Sequence, residues 1–371
     1  MVLPLGFKML CLPASLGKLV HMKEEPRAGA AFLKSSVGHV GPPISEKSAT
    51  IGSSSLIEYR SFRNFDPPGI WMLWRDGQMG RGAALPRSID AFEAVNYGQP
   101  YFDPAGMVVA LEGHWIVGIA HAGFAATEDR TTLDRTTGVI CSVLVHPKCR
   151  RQGIGTELIR RAEAYLRGQS VTRLLAGPAR GLDPFYFGLY GGCRPSGFLL
   201  TDPAGQPFFQ KLGYSELEKH GVFERDLTIP RDPTNMRLVQ IRRQTELEAL
   251  DSSESPNWWW YTHLGRTDSV RYCLKMKRTG EPIATVNVVP LDHYEDAWRD
   301  RSVGIVDVRV APAYRGQGYG QTLLIEVVRL LRQDRFHRAE IHAPDNSPVA
   351  LRAVLAAGFS RVDTGIVYQK T

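Results

Sequence analysis

From about residue 52 onward, apolar and polar positions alternate in a way that divides the chain into strand-like and helix-like stretches. "MVVALEGHWIVGIAHAGF" holds two apolar, β-branched runs around Glu112-Gly113, and "YCLKMKRTGEPIATVNVV" repeats the design around Thr279-Gly280; both predict hairpins. A further apolar run follows each hairpin, one ending at Val145 and the other at Val310. The period then changes to that of a helix. Ile154, Leu158, Ile159, Ala162 and Leu166 mark one face of a helix from about Gln152 to Leu166, and Leu323, Leu324, Val327, Val328 and Leu331 mark its counterpart. Another strand and helix complete each set. The pattern therefore predicts mixed α/β (α+β) layers, not a bundle or a sandwich.

The two sets are copies. A shift of 165 (310 − 145) aligns Val145, Pro147, Arg150, Gln152, Gly153 and Gly155 with Val310, Pro312, Arg315, Gln317, Gly318 and Gly320. The proline-rich stretch "DLTIPRDPTNM" separates them, which predicts a tail over 1–51, a first domain over 52–228, a linker over 229–236 and a second domain over 237–371. The first copy carries an insertion of about twenty residues, "GLDPFYFGLYGGCRPSGFLL", whose aromatics and glycines suit a mobile lid.

Composition narrows the chemistry. Forty-five Lys+Arg against 38 Asp+Glu leave a net charge of +7 in 371 residues, enough to favour an anionic ligand but short of a nucleic-acid coat, and no nucleic-acid partner is expected. Five cysteines without C-x-x-C or zinc-like spacing predict no disulfide and no metal, and point to the cytoplasm. The apolar N-terminus is broken by Pro4, Lys8, Pro13 and Lys18, so neither a membrane span nor a signal peptide is expected.

The loops "RRQGIG" and "RGQGYG" stand between a strand and a helix, where unpaired backbone N–H groups and the helix dipole favour an anion. Gly153, Gly155, Gly318 and Gly320 allow close approach, and Arg150, Arg151 and Arg315 add charge, so a diphosphate is the expected guest. Neither loop is a P-loop or a dinucleotide fingerprint.

Arg-x-x-Gly-x-Gly after a strand ending Val-x-Pro, with a closing Gly-Tyr at Gly213-Tyr214 or Gly-Phe at Gly358-Phe359, resembles the acetyl-CoA motif of the Gcn5-related N-acetyltransferases (GNAT). The tandem pairing is similar to that of the mycothiol synthases, although no motif demands their substrate. The resemblance implies two tandem GNAT-like domains, each with a mixed, mostly antiparallel sheet flanked by helices. It also implies transfer of an acetyl group from acetyl-CoA to an amine acceptor. The diphosphate would lie on Arg150, Arg151, Gln152, Gly153, Ile154, Gly155 and Thr156, or on Arg315, Gly316, Gln317, Gly318, Tyr319, Gly320 and Gln321. The pantetheine arm would lie along Val143, Leu144 and Val145, or Val308, Arg309 and Val310, with Asn346 beside it in the second copy.

The resemblance also exposes a gap. The tyrosine that usually protonates the leaving thiolate is replaced by Phe209 and Val354, which shifts the role toward Tyr186 or Tyr190 of the insertion or leaves a non-catalytic acyl-CoA-binding protein. Asp307, aligned with Ser142, is the one carboxylate in the two aligned apolar runs and the candidate base; His121 and His146 rank below it. "WMLW" and "NWWWY" occupy equivalent regions, where the family shapes its acceptor pocket. The insertion and the second arginine, Arg151, make the first copy the expected working one, against which stand Asp307 and the resemblance to tandem relatives whose second copy is active. A monomer is expected, its copies serving as an internal dimer.

Overall fold

A computed structural model describes residues 56–250, 257–265 and 267–371 of the chain. The tail expected over 1–51 and Cys11 lie outside the described residues. The first copy runs β1 (Ile57–Ser61), α1 (Pro67–Asp76), α2 (Asp90–Phe92), β2 (Met107–Glu112), β3 (Trp115–Ala126), β4 (Leu133–Val145), α3 (Ile154–Gly168), β5 (Arg173–Ala176), β6 (Phe198–Leu199), α4 (Gly205–Lys211) and β7 (Tyr214–Asp226). The second runs α5 (Met236–Gln244), β8 (Thr245–Leu250), α6 (Trp258–His263), β9 (Val270–Met276), β10 (Pro282–Pro290), α7 (Glu295–Trp298), β11 (Ser302–Val310), α8 (Tyr319–Gln333), β12 (Arg338–Pro344), α9 (Pro348–Ala356) and β13 (Ser360–Lys370).

Both hairpins and both long helices stand where the pattern predicts them. Ile154, Leu158, Ile159, Ala162 and Leu166 of α3 are buried, as are Leu323, Leu324, Val327, Val328 and Leu331 of α8. Each helix covers its own sheet half, α3 over β2–β4 and α8 over β9–β11.

The strand order is less predictable. One continuous sheet runs β1-β2-β3-β4-β5-β13-β7-β12-β11-β10-β9-β8, with β6 added to β13. The last strand of each copy lies in the other: β13 pairs with β5, and β7 pairs with β12. Between them β7 and β13 run antiparallel from Tyr214↔Lys370 to Glu224↔Ser360. Neither 52–228 nor 237–371 holds all the strands that its half of the sheet contains.

The segment between Asp226 and Met236 is anchored rather than loosely tethered. Asp232, whose side chain is 7% exposed, takes hydrogen bonds from Arg225, Arg329 and Arg332, the latter two on α8. Burial alone would raise the Asp232 pKa, but the bonds and charges of these arginines bring it down to about 2. A folded-state value below the unfolded one contributes stability above about pH 4 and loses it as pH falls toward 2, an effect of about 2 kcal/mol. Urea denaturation of wild type and Asp232→Asn is expected to show a stability gap that is widest near neutral pH and closes below about pH 2. A gap constant with pH contradicts this.

The insertion is not a lid. Phe185, Tyr186, Phe187, Leu189 and Cys193 are buried core residues, and Gly191, Gly192 and Gly197 stand where a Cβ would press on neighbouring atoms. Gly192, at φ 81°, lies where a Cβ would collide with the carboxylate of Glu340 on β12. The insertion thereby joins the first copy to the second.

Candidate active site

In each copy the parallel strand pair separates at the same place. Pairing of β4 with β5 ends at Ile140↔Ala176, and pairing of β11 with β12 ends at Ile305↔Ile341. Beyond these points β4 and β11 keep only their antiparallel neighbours, so one edge of Cys141–Val145 and of Val306–Val310 is open. A cavity lies at each gap.

The first cavity, about 600 Å³, is lined by Val143, Leu144, Val145, Arg150, Arg151, Gly153, Gly155 and Thr156, with Trp74, Tyr190, Phe208 and Phe209. The second, about 760 Å³, is lined by Val308, Arg309, Val310, Arg315, Gly316, Gly318, Tyr319, Gly320 and Gln321, with Val354 on α9. Four residues singled out from sequence take other positions. Ile154 is packed in the core, and Gln152 stays outside the cavity lining. The Gln317 side chain donates to the Ala313 carbonyl, and Asn346 is exposed in the turn before α9, where its neighbour Ser347 lines the cavity instead.

Helices α3 and α8 begin at glycines in the left-handed region, Gly153 at φ 86° and Gly318 at φ 91°, which L-residues avoid. Two residues earlier the copies differ: Arg151 holds φ 65° where Gly316 holds φ 72° at no steric cost. Arg150 and Arg315 each donate from Nε to the carbonyl of the strand's last residue, Val145 or Val310, at 3.0 Å. These arginines brace their loops as well as charging them. The second arginine of the first copy is thus no clear advantage.

The opposite side of the sheet separates the copies. In the first, the Ser142 hydroxyl donates to Tyr186 Oη (2.9 Å), which lies 3.1 Å from Nδ1 of His121. Trp74 stacks on Tyr186, and Phe185 on His121, at ring separations of 5.6 and 4.1 Å. Burial raises the Tyr186 pKa and lowers that of His121 to about 3. Tyr186 and His121, candidates for proton transfer, are therefore core residues that fill this side. Tyr190 is half-buried at the wall of the first cavity, its oxygen accepting from the Leu199 N–H at 3.1 Å. The His146 ring caps a turn by accepting from the Lys148 N–H.

In the second copy the same side is open. A cavity of about 200 Å³ is lined by Asn257, Trp259 and Trp260 of the "NWWWY" stretch, by Asn287 and Arg271, and by Arg130 from the first copy's β3–β4 loop. Asp307 lines this cavity and the cofactor-sized one behind it. It sits at φ 54°, at a bulge where β11 shifts register against β10. Such strain persists where the surroundings enforce it. Asp307 Oδ1 is ion-paired with Arg180 (2.7 Å), the residue just before the first copy's insertion, and accepts from Arg194 (3.2 Å) within it; Arg194 is held in turn by Asp183. Burial alone would raise the Asp307 pKa; Arg194 and Arg180 overcome it and hold the carboxyl below its ordinary range.

A second polar group meets at the gap. The Ser196 hydroxyl is hydrogen-bonded to Nδ1 of His342 on β12, whose Nε2 lies 3.0 Å from Oε1 of Glu340. Glu340 is fully buried and also accepts from the Cys193 N–H (2.8 Å) and Arg81 (3.1 Å). Burial would raise its pKa, but His342, Arg81 and the backbone bond bring it below the ordinary value. Cys193, Glu340 and His342 also form a set with metal-ligating atoms within 4.8 Å of one another, but the Arg81 guanidinium on Glu340 opposes a cation there. Sequence reading missed this group. Its signal was the alternation in "RAEIHAP", where Arg338, Glu340 and His342 place polar groups on one face of the strand and Ala339, Ile341 and Ala343 apolar ones on the other.

Among the described residues, no helix is long and apolar enough to cross a membrane, and Cys141, Cys149, Cys193 and Cys273 are free thiols. No curated protein matches the sequence. Solved structures do match. A tandem GNAT protein from the clavulanic acid biosynthesis pathway superposes with a TM-score of 0.58 at 17% identity, covering 85% of this chain and 98% of its own. A GCN5-related N-acetyltransferase from Sphaerobacter thermophilus gives 0.55 at 15% identity, covering 85% and 95%. A glucosamine N-acetyltransferase region of a fungal multi-domain β-N-acetylglucosaminidase gives 0.57 at 16%, covering 85% of this chain and 38% of that one. The model of the acetyltransferase (GNAT) family matches residues 49–186 and 235–359, one stretch in each copy and together most of the chain. The chain belongs to the GNAT acetyltransferase family.

Proposed function

We propose that the protein transfers an acetyl group from acetyl-CoA to the amine of a small acceptor, and that the second copy carries out the reaction. The observation that carries this reading is the position of Asp307, on the wall shared by a cofactor-sized cavity and a smaller one. The first copy, whose equivalent side is filled by Tyr186, Phe185 and His121, acts as scaffold and supplies Arg180, Arg194 and Ser196 to the second.

In this reading the diphosphate rests on the Gly316–Gly320 loop and the amide-bearing arm runs along the open edge of β11. The acceptor enters as free amine and attacks the thioester carbon. An open-edge N–H of β11 holds the oxygen as it becomes an oxyanion. Once the C–N bond forms, the nitrogen is cationic and strongly acidic, so Asp307 takes its proton although it is a weak base. Collapse of the intermediate breaks the C–S bond. The thiolate takes the proton of the Ser196 hydroxyl as His342, entering this step with both ring nitrogens protonated and oriented by Glu340, returns one from Nδ1 to that oxygen and is then reprotonated from solvent; these groups stand in for the tyrosine that Val354 replaces.

Acetyl-CoA is expected to raise the melting temperature of the intact chain and to release thiol when amines are added. Ser196→Ala and His342→Ala are each expected to keep the melting shift but lose roughly 10²-fold in kcat. A melting shift without thiol release for any amine, in wild type, would favour a non-catalytic acyl-CoA-binding protein, the reading that Phe209 and Val354 support.

A further inference from the structure

The smaller cavity carries more positive charge than an amine site needs. Among the described residues, Arg130, Arg194 and Arg309 line it together with a single carboxylate, Asp307. Arg194 is committed to Asp183 and Asp307, and Arg180, behind the wall, also binds Asp307. Among the described residues, no carboxylate lies within ion-pair distance of Arg130 or Arg309, yet both are near enough to act on the charge of Asp307. The acceptor nitrogen, cationic once the C–N bond forms, would meet this field unfavourably on its own, since its attraction to Asp307 is opposed by the guanidinium groups around it. An acceptor with an anion at its other end satisfies both.

We propose that the acceptor is a small molecule bearing an anionic group, carboxylate or phosphate, in addition to its amine. Its nitrogen lies at Asp307, and Arg130 and Arg309 hold the anion. Arg309 stands two residues from Asp307 on β11, whereas Arg130 comes from the β3–β4 loop of the first copy, so the two copies grip the anion jointly. A planar guanidinium fork suits either oxyanion. The cavity volume of about 200 Å³ restricts the enclosed part to the size of an amino acid, the space of roughly seven liquid waters. This inference rests on the second-copy reading above and specifies its substrate class.

The test uses the intact chain with acetyl-CoA and matched acceptors, β-alanine against propylamine and O-phosphoethanolamine against ethanolamine. Thiol release gives kcat/KM, and calorimetry gives binding of each amine. The anionic member of at least one pair is expected to exceed its neutral partner roughly tenfold or more in kcat/KM and in affinity. The preferred pair distinguishes carboxylate from phosphate. Arg309→Gln and Arg130→Gln should each erode the preference by raising KM more than they lower kcat. Neutral amines that bind and react as well as the anionic ones would overturn the inference, as would a preference that survives Arg130→Gln/Arg309→Gln or a failure of every amine to bind. Arginine-dependent binding of the anionic amines without thiol release would instead uphold the inference and refute the transfer reaction.

Discussion

Asp307→Asn in the intact chain is expected to lower kcat by roughly 10²- to 10³-fold while the melting shift caused by acetyl-CoA persists. The substitution is chosen for its backbone. Asn, like Asp, enters the left-handed region more readily than other L-residues, so the bulge at φ 54° should survive where Ala would strain it. What is lost is the negative charge. The nitrogen that becomes cationic on C–N bond formation loses its counter-charge and its proton acceptor, and Arg180 and Arg194 are left on the same wall without the carboxylate that unites them. Fluorescence or circular dichroism melting checks the fold, and thiol release checks the rate. Unchanged turnover would remove Asp307 from the reaction.

The second large effect concerns the exchanged strands. Residues 56–228 and 236–371 expressed apart are each expected to lack a cooperative melting transition, whereas co-expressed they should assemble one to one. In the first half β7 has lost both neighbours, β12 and β13, and in the second half β13 has lost β5, β6 and β7. Val222, Phe223, Ile366, Val367 and Tyr368 are all buried by these pairings. At about 2 kcal/mol for each large apolar side chain exposed, the loss approaches the whole stability of an ordinary domain. Two separately soluble halves with sharp transitions, each having folded its last strand back beside its own sheet, would contradict the expectation.

The elements and loops were legible because their causes are local. The hairpins follow from period-two runs around Glu112-Gly113 and Thr279-Gly280, the helices from the apolar faces of α3 and α8, and the left-handed turns from Gly153 and Gly318. Asp307 was visible as a carboxylate in an apolar strand. The exchange of β7 and β13 was not legible, since both orders offer these strands the same kinds of neighbour and the sequence records no partner. The role of the insertion was misread for a related reason. Its aromatics and glycines suit a lid as well as a tightly packed joint, and only the approach of Gly192 to Glu340 and of Arg194 to Asp307 distinguishes the two. The "WMLW" and "NWWWY" stretches show the same limit: they occupy equivalent regions, yet Trp74 stacks on Tyr186 beside the first cofactor-sized cavity while Trp259 walls the small cavity of the second copy.

The most direct test of the claim that chemistry occurs in the second copy is the turnover of acetyl-CoA by two loop variants, Gly153→Val and Gly318→Val, in the intact chain. The two glycines hold nearly the same φ, 86° and 91°, and each opens the helix beside its own cavity, so each variant controls for the backbone strain of the other, about 1–3 kcal/mol. The account predicts that Gly318→Val loses most thiol release while Gly153→Val stays within a few-fold of wild type. Loss confined to Gly153→Val, with Gly318→Val unimpaired, would place the reaction in the first copy and contradict it.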